Sequence, residues 1–157
     1  IRVMRVTRPG AAFHARFDAR GKVYTYRIWN SPVLIPLEIG RAWHVPTPLD
    51  LDILRRGARL LTGKHDFAAF AANRGTPPKT TVRTIHSIRI TRRGPLLTLQ
   101  FTGDGFLYKM VRLLTGSLIR CAQGRHPITW LEPLLAGHGK TTFAAPADGL
   151  CLHRVIY

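Results

Sequence analysis

The chain has 157 residues, 45% of them hydrophobic, which suits one domain, residues 1–157, with a real apolar core. It carries 24 Lys and Arg against 8 Asp and Glu, a formal charge of +16. Two cysteines exclude a disulfide framework and fit a reducing, cytoplasmic compartment; no apolar run reaches the roughly 18 residues of a membrane helix, and 8 carboxylates are few for an acidic metal cage.

Residues 1–7 alternate basic and apolar side chains and are predicted to form a strand, broken at Gly10. Phe13 to Asn30 reads as one long strand or two, because Val23, Tyr24, Thr25, Tyr26, Ile28 and Trp29 favour β structure. Ser31, Pro32 and Pro36 mark a loop, and Gly40 to Val45 a short strand stopped by Pro46 and Pro48. Asp50 is a good N-cap for a helix to about Leu61, with Gly63 as its stop. His65 to Ala72 is a short apolar piece, and Asn73 to Thr80 a Pro/Gly loop. Thr81–Thr91 and Leu96–Thr102 are predicted strands, joined by a hairpin at Arg92-Arg93-Gly94-Pro95.

Gly105 to Gln123 carries the clearest helical period. Leu107, Met110, Val111, Leu114, Leu118 and Cys121 share one stripe, and Lys109, Arg112, Gly116 and Arg120 the opposite one. Spacing alone therefore reads Arg112 as a solvent-facing arginine. Gly116, one turn on, permits another chain segment or RNA to approach the backbone. A short helix at about Ile128–Leu135 and a last strand, Leu150–Tyr157, follow. Antiparallel strands interleaved with a few helices predict an α+β fold, helices covering one face of the sheet.

The charge is uneven. No carboxylate lies between Asp66 and Asp104, whereas Arg74, Lys79, Arg83, Arg89, Arg92 and Arg93 do. This predicts a phosphate-bearing partner, most simply nucleic acid. On the basic strand Lys22-Val23-Tyr24-Thr25-Tyr26-Arg27, the side chains of Lys22, Tyr24, Tyr26 and Ile28 share one face. Aromatic rings beside cations suit base stacking with phosphates held alongside, although sheet packing explains either tyrosine as well. Gly-rich phosphate loops, GxSxG and HExxH are absent, and the spacing of Cys121, His126, Cys151 and His153 matches no zinc pattern, so no metal or cofactor is expected.

Several blocks stand out together: Phe13-His14-Ala15-Arg16-Phe17 with Lys22-Val23-Tyr24-Thr25-Tyr26; His65-Asp66-Phe67; Thr81-Val82-Arg83-Thr84-Ile85; Gly105 to Arg112 with Gly116-Ser117-Leu118; and Ala145 to Leu150. In this combination they resemble the TruA family of tRNA pseudouridine synthases. They come in the family's order and run across essentially the whole chain. The resemblance implies a ferredoxin-like antiparallel sheet with helices on one face. It implies uridine-to-pseudouridine isomerisation in the tRNA anticodon stem-loop, a homodimer, and neither metal nor redox cofactor. It makes Tyr24 the residue stacked on the target uracil and Arg112 the partner of the catalytic Asp. His14 and Arg16 would line the cleft; Lys22, Arg74, Lys79 and Lys109 are further candidate RNA contacts.

The family's nucleophilic Asp stands in an Arg-Thr-Asp motif, and none occurs here: Arg83-Thr84 is followed by Ile85. The expectation is a C-terminal half whose partner half supplies the Asp, which would leave this chain inactive by itself. A non-catalytic RNA-binding module on the same scaffold is the alternative.

Overall fold

The computed structural model describes residues 2–73, 75 and 78–157. Strands β1 (Gly21–Trp29), β2 (Trp43–His44), β3 (Gly63–Asp66), β4 (Val82–Arg93), β5 (Leu96–Gly103) and β6 (Leu150–Ile156) form one sheet. Helices α1 (Leu51–Leu61), α2 (Met110–Ala122) and α3 (Leu131–Leu135) pack on it. The fold is α+β, as expected. The order along the sheet is β2-β1-β5-β4-β3, and β6 takes the same edge of β1 as β2. All pairings are antiparallel except β1–β2, which is parallel over two residues, so the sheet is mixed.

Register explains which side chains meet the helices. Tyr24, Tyr26 and Ile28 lie opposite Phe101, Leu99 and Leu97 on β5, and Ile88 and Ile90 on β4 continue two of these rows. Directly opposed residues share a face, and this one joins Leu54, Leu61, Met110, Leu114 and Leu118 of the helices in a single core. The intervening row, Thr25, Gln100 and Arg89, is polar and takes the other face.

Local chemistry sets the boundaries. The Asp50 carboxylate accepts from the amides of Asp52 and Ile53, both at 2.9 Å, and starts α1. Gly63, at φ +119°, turns the chain directly into β3, a conformation glycine adopts without a Cβ clash. Gly94-Pro95 closes the β4–β5 hairpin as a two-residue turn, Arg93 pairing Leu96.

Three expectations are corrected. Residues 2–9 join no strand: Val3 and Met4 are 76% and 89% exposed, and alternation without a partner edge makes no sheet. Phe13–Asp18 is a set of turns, so the strand begins at Gly21. There the His14 amide donates to the Asp18 carboxylate, and His14 Nδ1 accepts from the amides of Arg16 and Phe17. Helix α2 begins at Met110, not Gly105, because Lys109 adopts a left-handed conformation, φ +59°, and acts as its N-cap.

Of the stripe read as solvated, only Lys109 is exposed; Gly116 is buried, and Arg112 and Arg120 are half-buried. Residues 143–149 run across it as a strap. A Cβ on Gly116 would collide with the carbonyl oxygen of Phe143. The Arg120 guanidinium lies 4.3 Å from the Phe143 ring centroid. Of the two possibilities that Gly116 left open, the neighbour is another segment of this chain.

Candidate active site

The site is assembled where the core face of β1, the turn preceding α2 and the 143–149 strap meet. Tyr24 projects from β1 at the margin of the core, and its ring meets Phe106 edge-to-face at 5.2 Å. This geometry sets a positive ring edge against a negative ring face. The Tyr24 hydroxyl has no hydrogen-bond partner among the described residues, yet it is not a buried orphan, so it opens to solvent. Partial burial raises its phenol pKa, and the hydroxyl carries its proton at neutral pH.

Arg112, in the first turn of α2, is half-buried. Its Nε–H donates to the Ala145 carbonyl at 2.6 Å. The Ala145 amide in turn donates to the Arg112 carbonyl at 3.0 Å. Among the described residues the two terminal nitrogens have no hydrogen-bond partner, and neither is sealed from solvent. Thus one edge of the guanidinium is spent on the strap and the other is available. A planar fork held in this way suits a carboxylate or phosphate.

Tyr26, two residues on along the same face, is enclosed. It is 0% exposed, and its hydroxyl donates to the Pro146 carbonyl at 2.6 Å. Burial drives its phenol pKa far upward; the Arg112 guanidinium opposes this and the Asp148 carboxylate adds to it. The sequence left stacking and packing open for both tyrosines. The structure encloses Tyr26 and leaves Tyr24 at the rim.

Among the described residues, the other candidates make no side-chain hydrogen bond or ring contact with Tyr24 or Arg112. Lys22 opens the Tyr24 face of β1, opposite Gly103. Lys109 is exposed at the start of α2, its ammonium 5.5 Å from the Tyr108 ring centroid. Lys79 is exposed in the loop before β4. His14 and Arg16 belong to the exposed turn before β1, where the His14 ring organises backbone and the Arg16 guanidinium lies 5.6 Å from the Phe17 ring centroid. Arg74, with part of the predicted 73–80 loop, lies outside the described residues. Sequence reasoning missed Phe106 as the brace of Tyr24 and the Ala145 and Pro146 carbonyls as polar partners. The only sequence signal was their place in recognisable blocks, since both contacts cross between distant segments.

The domain is thus a basic α+β fold with Tyr24 at the rim of its core against Phe106 and Arg112 tied to the 143–149 strap. A family model described as tRNA pseudouridine synthase matches residues 58–157. The chain belongs to this family. It is 44% identical over 153 residues to tRNA pseudouridine synthase A of Akkermansia muciniphila, covering 92% of this chain and 58% of that protein. The enzymes of the same name from Methylacidiphilum infernorum and Syntrophotalea carbinolica are 42% and 44% identical over 147 residues, with the same two coverages. The chain therefore spans little more than half the length of these relatives.

Proposed function

We propose that the whole protein isomerises uridine to pseudouridine in the anticodon stem-loop of tRNA, and that this chain supplies part of the active site. In this reading Tyr24 receives the flipped uracil on its ring, and Arg112 holds the catalytic carboxylate ionised and oriented. The carboxylate comes from an Arg-Thr-Asp segment outside these 157 residues. Lys22, Lys79, Lys109, Arg74, His14 and Arg16 contribute to tRNA binding. The protein works as a homodimer in the cytoplasm.

The observation that carries the reading is the state of Arg112: a half-buried guanidinium with its Nε committed to Ala145 and its terminal nitrogens unpartnered among the described residues. A carboxylate arriving at that edge would complete a bidentate pair. In the reaction the N1–C1′ bond breaks, the base rotates, and C5 bonds to C1′. The C5 proton leaves to solvent and N1 gains one, so the atoms balance with no redox partner. In this reading the Tyr24 hydroxyl, after yielding its own proton to a base, serves that late proton transfer.

Tritium release from tRNA labelled at uridine C5 tests the proposal. The full-length protein is expected to release tritium, and the 157-residue chain alone to stay at background. Turnover by the chain alone would mean that the nucleophile lies within it. Retained tRNA binding without any release by the full-length protein would make this an RNA-binding module instead.

A further inference from the structure

We propose that Tyr26 is a positioning residue for the Arg112 guanidinium, acting through the 143–149 strap. The inference rests on the role proposed above for Arg112. Two consecutive strap carbonyls are held from two different elements: Ala145 by Arg112 Nε at 2.6 Å and Pro146 by the Tyr26 hydroxyl at 2.6 Å. The strap is thus a cross-link between β1 and α2, tied at adjacent residues.

Nothing in the core requires a hydroxyl at position 26. A phenylalanine would fill the same space, and a buried hydroxyl is costly unless it is hydrogen-bonded. Among the described residues its one hydrogen-bond partner is the strap. The ring makes a second contact there: a Cβ on Gly149 would lie 2.7 Å from Tyr26 Cε1 and 2.5 Å from the Arg27 carbonyl oxygen. The Arg27 amide closes this end of the strap by donating to the Gly149 carbonyl at 2.8 Å. Tyr26 therefore fixes the strap on both sides of Ala147, immediately beyond the residue that holds Arg112. An arginine has several side-chain torsions and many rotamers. One bond at Nε, to an acceptor that cannot move, sets where the terminal nitrogens point. Such preorganisation matters because a displacement of about 1 Å at a reacting centre can cost about 10²-fold in rate.

In the full-length protein, Tyr26→Phe should lower the single-turnover rate by about 10²-fold and leave the tRNA dissociation constant within about twofold. In an Arg112→Lys background, where no guanidinium remains to be aimed, the same change should cost less than about threefold. Equal losses in both backgrounds would reduce Tyr26 to a core residue and overturn the proposal. A direct readout requires no folded variant: the Arg112 Nε–H NMR signal of the unmodified chain should be protected from solvent exchange. Exchange as fast as in free arginine would also overturn it. Where Tyr26→Phe folds, that protection should fall at least tenfold. If Arg112→Met retains full turnover, the active-site reading fails and this proposal with it. If Arg112→Met is inactive while Tyr26→Phe turns over normally, this proposal alone fails.

Discussion

Arg112 and Ala145 hold each other twice, side chain to backbone at 2.6 Å and backbone to backbone at 3.0 Å, across 33 residues of sequence. This reciprocal contact turns a helix face that reads as solvated into an internal seam. It also gives Arg112 a structural duty besides its proposed chemical one.

Arg112→Met should therefore destabilise the isolated chain. Helical spacing alone would put the cost within about 0.5 kcal/mol, as for an exposed arginine. Loss of a charged donor to the carbonyl of buried Ala145 should instead cost about 2 kcal/mol. Urea unfolding measures the difference, and an unchanged midpoint would mean that the Nε bond does not persist. In the full-length protein the same change should nearly abolish turnover while lowering tRNA affinity only modestly. Arg112→Lys should restore charge but little of the forked geometry.

Gly116→Ala tests the seam from the other side. The added methyl would collide with the Phe143 backbone, which no rotamer change relieves. The strap must lift, at a cost of about 1–3 kcal/mol. Exposed Gly10, with nothing within 4 Å of an added Cβ, serves as the control. Equal thermal midpoints for the two variants would contradict the close approach.

Tyr24→Phe should separate stacking from proton transfer. The hydroxyl has no hydrogen-bond partner among the described residues, so chain stability should change by less than about 0.5 kcal/mol. The ring face remains, and tRNA binding by the full-length protein should persist. Turnover should fall by about 10²–10⁴-fold if the hydroxyl acts in general acid–base catalysis. A near-normal single-turnover rate would leave Tyr24 as a stacking residue only.

Alkali should weaken the fold from within. Burial pushes the Cys121 thiol from its ordinary 9.0 up to about 11. Between these values the unfolded thiol has lost its proton and the folded one retains it. The unfolded state then binds fewer protons, and stability falls as pH rises. The contribution is fully present below about pH 9 and lost as pH rises through about 11. Tyr26 acts in the same direction at still higher pH. Cys121→Ala should flatten the decline between pH 9 and 11 in denaturant titrations, and an unaltered pH profile would count against it.

Binding of tRNA should be strongly salt-dependent. The charge of +16 and the acid-free stretch between Asp66 and Asp104 motivate this. If about 6 phosphates are neutralised, affinity should fall by roughly 10³ between 50 and 200 mM salt. A dissociation constant that stays flat across that range would remove the phosphate reading.

How far the sequence reaches can be judged from particular elements. Cap, period and turn residues located α1, α2 and the β4–β5 hairpin, because Asp50, the Leu107–Cys121 stripe and Gly94-Pro95 act on neighbours a few residues away. Charge and the ordered blocks led to the family. Local pattern failed where the deciding partner was remote or missing. Residues 2–7 alternate like a strand but pair with no strand among the described residues, and Lys109 breaks the helical period with a left-handed backbone. Periodicity gave Tyr24 and Tyr26 the same face, and Arg112 the solvent. Only tertiary packing distinguished the two tyrosines, since the strap that encloses Tyr26 comes from 120 residues further along the chain. The same strap covers Arg112 and leaves its terminal nitrogens open. Helical period determines the direction in which a side chain leaves its element; what fills the space there depends on contacts between segments that lie far apart in sequence.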